Sequence, residues 1–153
     1  MKRVSGIDPA RRTRARRRAL QALYAIELSG NPPRQVLAEF AEERDPDKVD
    51  LEYFEELVLG VAREREDLDR ILATALDRPV ERLDPIERAV LRIGVYELTR
   101  RPELPFKVII DEAVQSARQF GADYGYTYVN GVLDRLAREL RRTETLPPSA
   151  DGD

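Results

Sequence analysis

The sequence contains neither cysteine nor histidine. Their absence excludes disulfides, thiol chemistry, the usual zinc sites and every nucleophilic arrangement that relies on imidazole as its base. No apolar run approaches the roughly 20 residues that span a bilayer. The N-terminus has arginines but no apolar segment ahead of a small-residue cleavage site, so no secretory signal is visible and a cytoplasmic protein is expected. Gly30, Gly60, Gly94, Gly121, Gly125 and Gly131 stand singly, without phosphate-loop or dinucleotide spacing. The 29 acidic residues read as ion-pair partners in a helical chain rather than as a catalytic pair. What is left is a binding protein, expected to act without cofactor or metal.

A length of 153 residues suits one domain with a sizeable core, and 42% hydrophobic with 36% charged residues describes a globular chain. Ala, Leu, Glu and Arg dominate the periodic segments, and no stretch alternates with period two for more than a few residues. The fold class read from this is all-α, a compact bundle of about six or seven helices.

Charge is unevenly placed. Residues 1–18 hold Lys2, Arg3, Arg11, Arg12, Arg14, Arg16, Arg17 and Arg18 against the single acid Asp8, a net +7 in a chain whose total is −3. The rest of the chain is therefore acidic, and the protein has one place where a polyanion would go. At 100° per residue the stretch from Arg11 to Leu28 has two unlike faces. Ala15, Ala19, Ala22, Leu23 and Ile26 gather on one, with Leu20 at its margin, which reads as a core-facing side. Arg14, Arg17, Arg18 and Gln21 gather on the other, followed by Tyr24, which suits a phosphate backbone.

Residues 1–9 read as a flexible segment, followed by a helix that Gly30 ends, with Pro32 and Pro33 preventing continuation. A short helix carries Val36, Leu37 and Phe40. Asp47 or Asp50 is placed to cap the next, whose apolar period runs from Leu51 to Val61 and resumes from Leu68 to Leu76; whether this is one helix or two is left open. Pro79 closes the segment. Asp84-Pro85-Ile86-Glu87 reads as a cap, a proline at the first helical position and a glutamate placed to bond back to the cap. Helices follow through Ala89–Leu98, through Phe106–Phe120 up to Gly121, and through Val129–Leu140. Residues 143–153 read as a disordered acidic tail. A split near Pro79 divides residues 10–142 into two helical groups, about 10–78 and 79–142.

The blocks RRRALQALYAIEL, YFEELVLGV, IERAVLRIGVYEL, PFKVIIDEA and FGADYGYTYVNGVLDRLA occur in this order between Arg11 and Arg141. Together they resemble the transcription antitermination factor NusB family. That resemblance implies two packed helical subdomains and a non-catalytic RNA-binding adaptor. It implies pairing with a small-subunit ribosomal protein, NusE, binding of boxA-type single-stranded RNA, and service in the antitermination complex of RNA polymerase, notably on ribosomal RNA operons. The family's N-terminal arginines match Arg12, Arg14 and Arg16, and its glutamine matches Gln21; Arg17 and Arg18 join them by the charge argument. Its aromatic-Val-Asn-Gly motif falls on Tyr128 to Gly131, giving Tyr128 a stacking role and Asn130 a base-reading role. The residues by themselves read as core packing for Tyr128 and helix capping for Asn130. The family's partner-binding tyrosine and glutamate match Tyr24 and Glu87, the latter also the capping residue just described.

The chain departs from the family pattern at Asp111, often asparagine there, and at Tyr124-Gly125-Tyr126-Thr127, which replaces a more polar loop and loses a lysine at Thr127. Rival readings are the helical domain of an RNA methyltransferase, a protein-only adaptor, and a DNA-binding protein. The first needs a catalytic domain for which no sequence is left, and the last a helix-turn-helix pair that is not evident. A homodimer covering Tyr24 and Glu87 is also compatible with the sequence.

Overall fold

The computed structural model describes residues 8–40 and 45–145. Helix α1, Pro9–Ser29, opens where Asp8 accepts a hydrogen bond from the Ala10 N–H and proline occupies the first turn. It closes at Gly30, whose φ of 73° lets its N–H turn back to the Ile26 carbonyl. Pro33 then begins α2, Pro33–Phe40, rather than merely blocking α1. Asp50, not Asp47, caps α3, Leu51–Arg63, through the Tyr53 N–H.

The long periodic segment is two helices. The chain leaves helical geometry at Glu64, with φ −102° and ψ 17°, and resumes as α4, Arg65–Ala73. No proline or glycine marks this break. The Glu64 carboxylate is held by Arg100 Nε at 2.7 Å, and the new direction lays Leu68 and Leu72 into the core. A 3-10 turn at Val80–Arg82 follows Pro79.

Asp84 caps α5, Pro85–Arg100, accepting from the N–H groups of Ile86 and Glu87. After Pro105 comes α6, Phe106–Phe120; then α7, Gly125–Leu140, and a single turn α8, Arg142–Thr145. Seven helices of eight or more residues and this last turn make up the all-helical fold among the described residues. The expectation of a disordered segment from 143 onward is corrected for 143–145: Glu144 accepts the Phe106 N–H at 2.8 Å and pairs with Arg141 at 2.6 Å. Residues 146–153 lie outside the described residues, as do residues 1–7 of the expected flexible start; Asp8 caps α1 and Pro9 begins it.

Helix α5 is the axis of the bundle. It packs against α1, α3, α4, α6 and α7. Gly94 makes the α5–α7 approach possible, because a Cβ there would stand 2.8 Å and 3.0 Å from the two methyl carbons of Leu133. The core includes Leu57, Val58, Leu72, Leu91, Val95, Ile109 and Leu133, each effectively removed from solvent.

A polar group sits inside that core. Arg16 is 5% exposed and Glu97 1%. Arg16 Nε donates to both oxygens of Glu97, at 2.8 Å and 3.1 Å, and the Tyr53 hydroxyl donates to the same carboxylate. Burial, then the adjacent Glu97, push the Tyr53 hydroxyl far up, so it stays a donor. Glu112 borders the pair and accepts from Thr13 Oγ1 at 2.9 Å.

Candidate nucleic-acid interface

The arginines of α1 divide in two. Arg14 and Gln21 are exposed, and Arg17 and Arg18 are half-buried. Their spacing of three, four and seven puts all four along one face of the helix. Arg14 Nη1 also donates to the Lys48 carbonyl at 2.7 Å, and Arg17 Nε is buried without a hydrogen-bond acceptor. The other two candidates point elsewhere. Arg12 lies over the Tyr53 ring at 3.8 Å, with its Nε on Asp50 at 3.0 Å. Arg16 belongs to the buried ion pair with Glu97. The expected surface role of Arg16 is thus not compatible with where the fold places it: desolvating a guanidinium demands a carboxylate partner, and α5 supplies one. Arg11, not a candidate, donates to the carbonyls of Pro46 and Val49 and so helps hold residues 45–50 against α1.

A second cluster forms at the start of α7. Tyr124 takes the N-terminal boundary position in the left-handed region, φ 65°, and is 78% exposed. Tyr128 is half-buried; its hydroxyl donates to Asp77 Oδ1 at 2.8 Å, and the Arg78 guanidinium lies 4.6 Å from its ring centroid. Arg78 in turn grips Asp77 with Nε at 2.7 Å and Nη2 at 3.2 Å. Sequence reasoning missed Asp77 and Arg78, since an Asp-Arg-Pro stretch reads as an ordinary turn. Asn130 does not join them. It lies within α7 rather than at its cap, so the capping reading fails; two positions from Tyr128, it faces away, into a groove of about 550 Å³ between α6 and α7 lined also by Lys107, Arg118, Tyr126 and Thr127.

Bonds from Arg78 and then Tyr128 hold the Asp77 carboxyl down to about 2. A depressed folded-state value means that the cluster's contribution is complete above the ordinary aspartate range and fades as pH falls toward 2. A carbon-detected NMR titration is expected to place the Asp77 midpoint near 2, with Arg78→Ala moving it upward toward the ordinary range; a wild-type midpoint near 4 would contradict the geometry.

On the expected partner side, Tyr24 is half-buried on α1. Glu87 is only 8% exposed, and its carboxylate lies against Gly125 at the start of α7. The expected return bond to the Asp84 cap is not formed, and the carboxylate is turned toward the start of α7 instead. Burial, then Asp84, raise the Glu87 pKa. The neighbouring Arg88 pairs with Glu27, one turn beyond Tyr24, which ties the two stretches together. Among the described residues no cluster of acidic side chains could hold a metal ion, and no helix is long and apolar enough to cross a membrane.

The NusB family model matches residues 13–138. The chain is 54% identical over 145 residues to the transcription antitermination protein NusB of Xylella fastidiosa strain 9a5c, covering 95% of this chain and 92% of that protein. Its fold is similar to that of NusB in a crystal structure of NusB and NusE with double-stranded RNA: TM-score 0.74, 28% identity, 83% of this chain and 96% of that one. It is similar also to T. maritima NusB: TM-score 0.74, 26% identity, 91% and 94% coverage.

Proposed function

The chain belongs to the NusB family of transcription antitermination proteins, and on that premise we propose that it is a non-catalytic, cytoplasmic adaptor that binds boxA RNA together with the small-subunit ribosomal protein NusE. In this role it helps RNA polymerase resist premature termination, notably on ribosomal RNA operons. The observation that carries the reading is the α1 face of Arg14, Arg17, Arg18 and Gln21 in a chain that is otherwise acidic. Guanidinium groups at helical spacing meet phosphates, whose spacing is sequence-independent, so they supply affinity and orientation. Sequence choice then falls to unpaired bases near Tyr128 and to the partner.

Fluorescence anisotropy tests this with three RNAs: a boxA-like single strand, a scrambled strand and a duplex. The duplex is included because the related NusB–NusE crystal structure holds double-stranded RNA. Binding is expected to favour the boxA-like strand and to strengthen with NusE. Arg14→Ala/Arg18→Ala should weaken it, with the slope of log affinity against log salt falling by about 1.4 for two lost phosphate contacts to a single strand. Equal affinity for all three RNAs, indifferent to partner and to the double substitution, would overturn the proposal.

A further inference from the structure

We propose that Arg78 belongs to the RNA site, forming with Tyr128 a clamp that holds one unpaired nucleobase between a guanidinium plane and an aromatic ring. This rests on the RNA-binding reading above and extends it to a residue outside the basic helix. The Arg78 guanidinium carbon already lies over the Tyr128 ring, 4.6 Å from its centroid. A base inserted between two stacked planes needs about 7 Å between them, so the guanidinium now holds the place a base would take. Asp77 is the hinge: it grips Arg78 through two nitrogens and accepts the Tyr128 hydroxyl, so Arg78 can swing outward about Asp77 while Tyr128 stays anchored.

Two features favour a ligand over a merely structural contact. The Arg78 and Asp77 side chains are 47% and 65% exposed, where an ion pair adds little to folding. The backbone beneath them is nevertheless held firmly, because Pro79 follows and Arg88 Nη1 donates to the carbonyls of Val80, Glu81 and Leu83. An exposed cation beside a half-buried aromatic ring on a fixed base is what stacking of a single-stranded base requires.

The test uses the full chain with NusE and the boxA-like strand carrying 2-aminopurine at one position at a time. In wild type, one position is expected to lose fluorescence on binding. Arg78→Ala should weaken binding about five- to tenfold, abolish that loss and leave the salt slope unchanged, with the thermal midpoint of the free protein unmoved. Arg78→Lys should not restore affinity, because it keeps the charge without the plane. Full rescue by lysine with a slope reduced by about 0.7 in the alanine variant would overturn the clamp in favour of a phosphate contact. Unchanged or tighter binding by Arg78→Ala would overturn it outright. Arg14→Ala/Arg18→Ala, run in parallel, separates the two ideas: sensitivity there with silence at Arg78 rejects the clamp alone, whereas wild type without partner-enhanced binding rejects both.

Discussion

Arg16→Ala is expected to destabilise the protein by about 3–5 kcal/mol in urea denaturation, the range for removing one partner of a buried ion pair. The reason is what it leaves behind. Glu97 is removed from solvent, and both of its oxygens face Arg16 Nε within 3.1 Å. Without the guanidinium, a carboxylate stays in the core with only the Tyr53 hydroxyl as donor. Glu97→Ala should cost a comparable amount by stranding Arg16, with Glu112 at 3.6 Å as its remaining partner. Removing both charges should cost less than the sum, since neither then remains unpaired. RNA affinity of the folded Arg16→Ala protein is expected to match wild type, unlike Arg14→Ala/Arg18→Ala. A stability loss below about 1 kcal/mol, or an affinity loss with stability intact, would return Arg16 to the surface role that the family resemblance assigned it.

Gly125→Ala is the second, with an expected loss of about 1–3 kcal/mol, the range for forcing a methyl group into filled space. The new Cβ would fall on the Glu87 carboxylate. That carboxylate is buried, so it can yield only by disturbing the groups packed around it. Glu87→Ala removes the group that the new methyl would strike. The double variant should therefore be more stable than the sum of the two losses by about 1 kcal/mol or more, measured as a double-mutant cycle in urea. Additive losses would show that Glu87 and the α6–α7 turn are independent. Because that turn carries Tyr124 and leads directly to Tyr128, Gly125→Ala should also weaken RNA binding. Substitutions at Glu87 would then act on the RNA side through the turn, besides any contact with NusE.

Much of the fold was legible in the chain because its signals act within one helical turn. Asp50, and Asp84 with Pro85, satisfy N–H groups two or three residues away, and Gly30 takes the left-handed conformation that ends α1, whereas Asp8 caps α1 from within a stretch that reads as flexible. The spacing of Arg14, Arg17, Arg18 and Gln21 likewise needs only the helical period to define a face. The tertiary structure decided whatever depended on a distant partner. Arg12 and Arg16 turn inward because Asp50 lies 38 residues away and Glu97 lies 81 residues away, and no local pattern distinguishes them from their exposed neighbours. Glu87 leaves its cap for the surroundings of Gly125, which the α6–α7 turn brings to it. The break at Glu64 follows the surface of α5, not a helix-breaking residue. Tyr128 meets Asp77 and Arg78 across 51 and 50 positions, while Asn130, two residues on, faces another groove. Helices are settled by neighbours in sequence; which charges are buried, and which aromatic ring gains a cation, is settled by neighbours in space, because only packing removes water from a charge and supplies its counterpart.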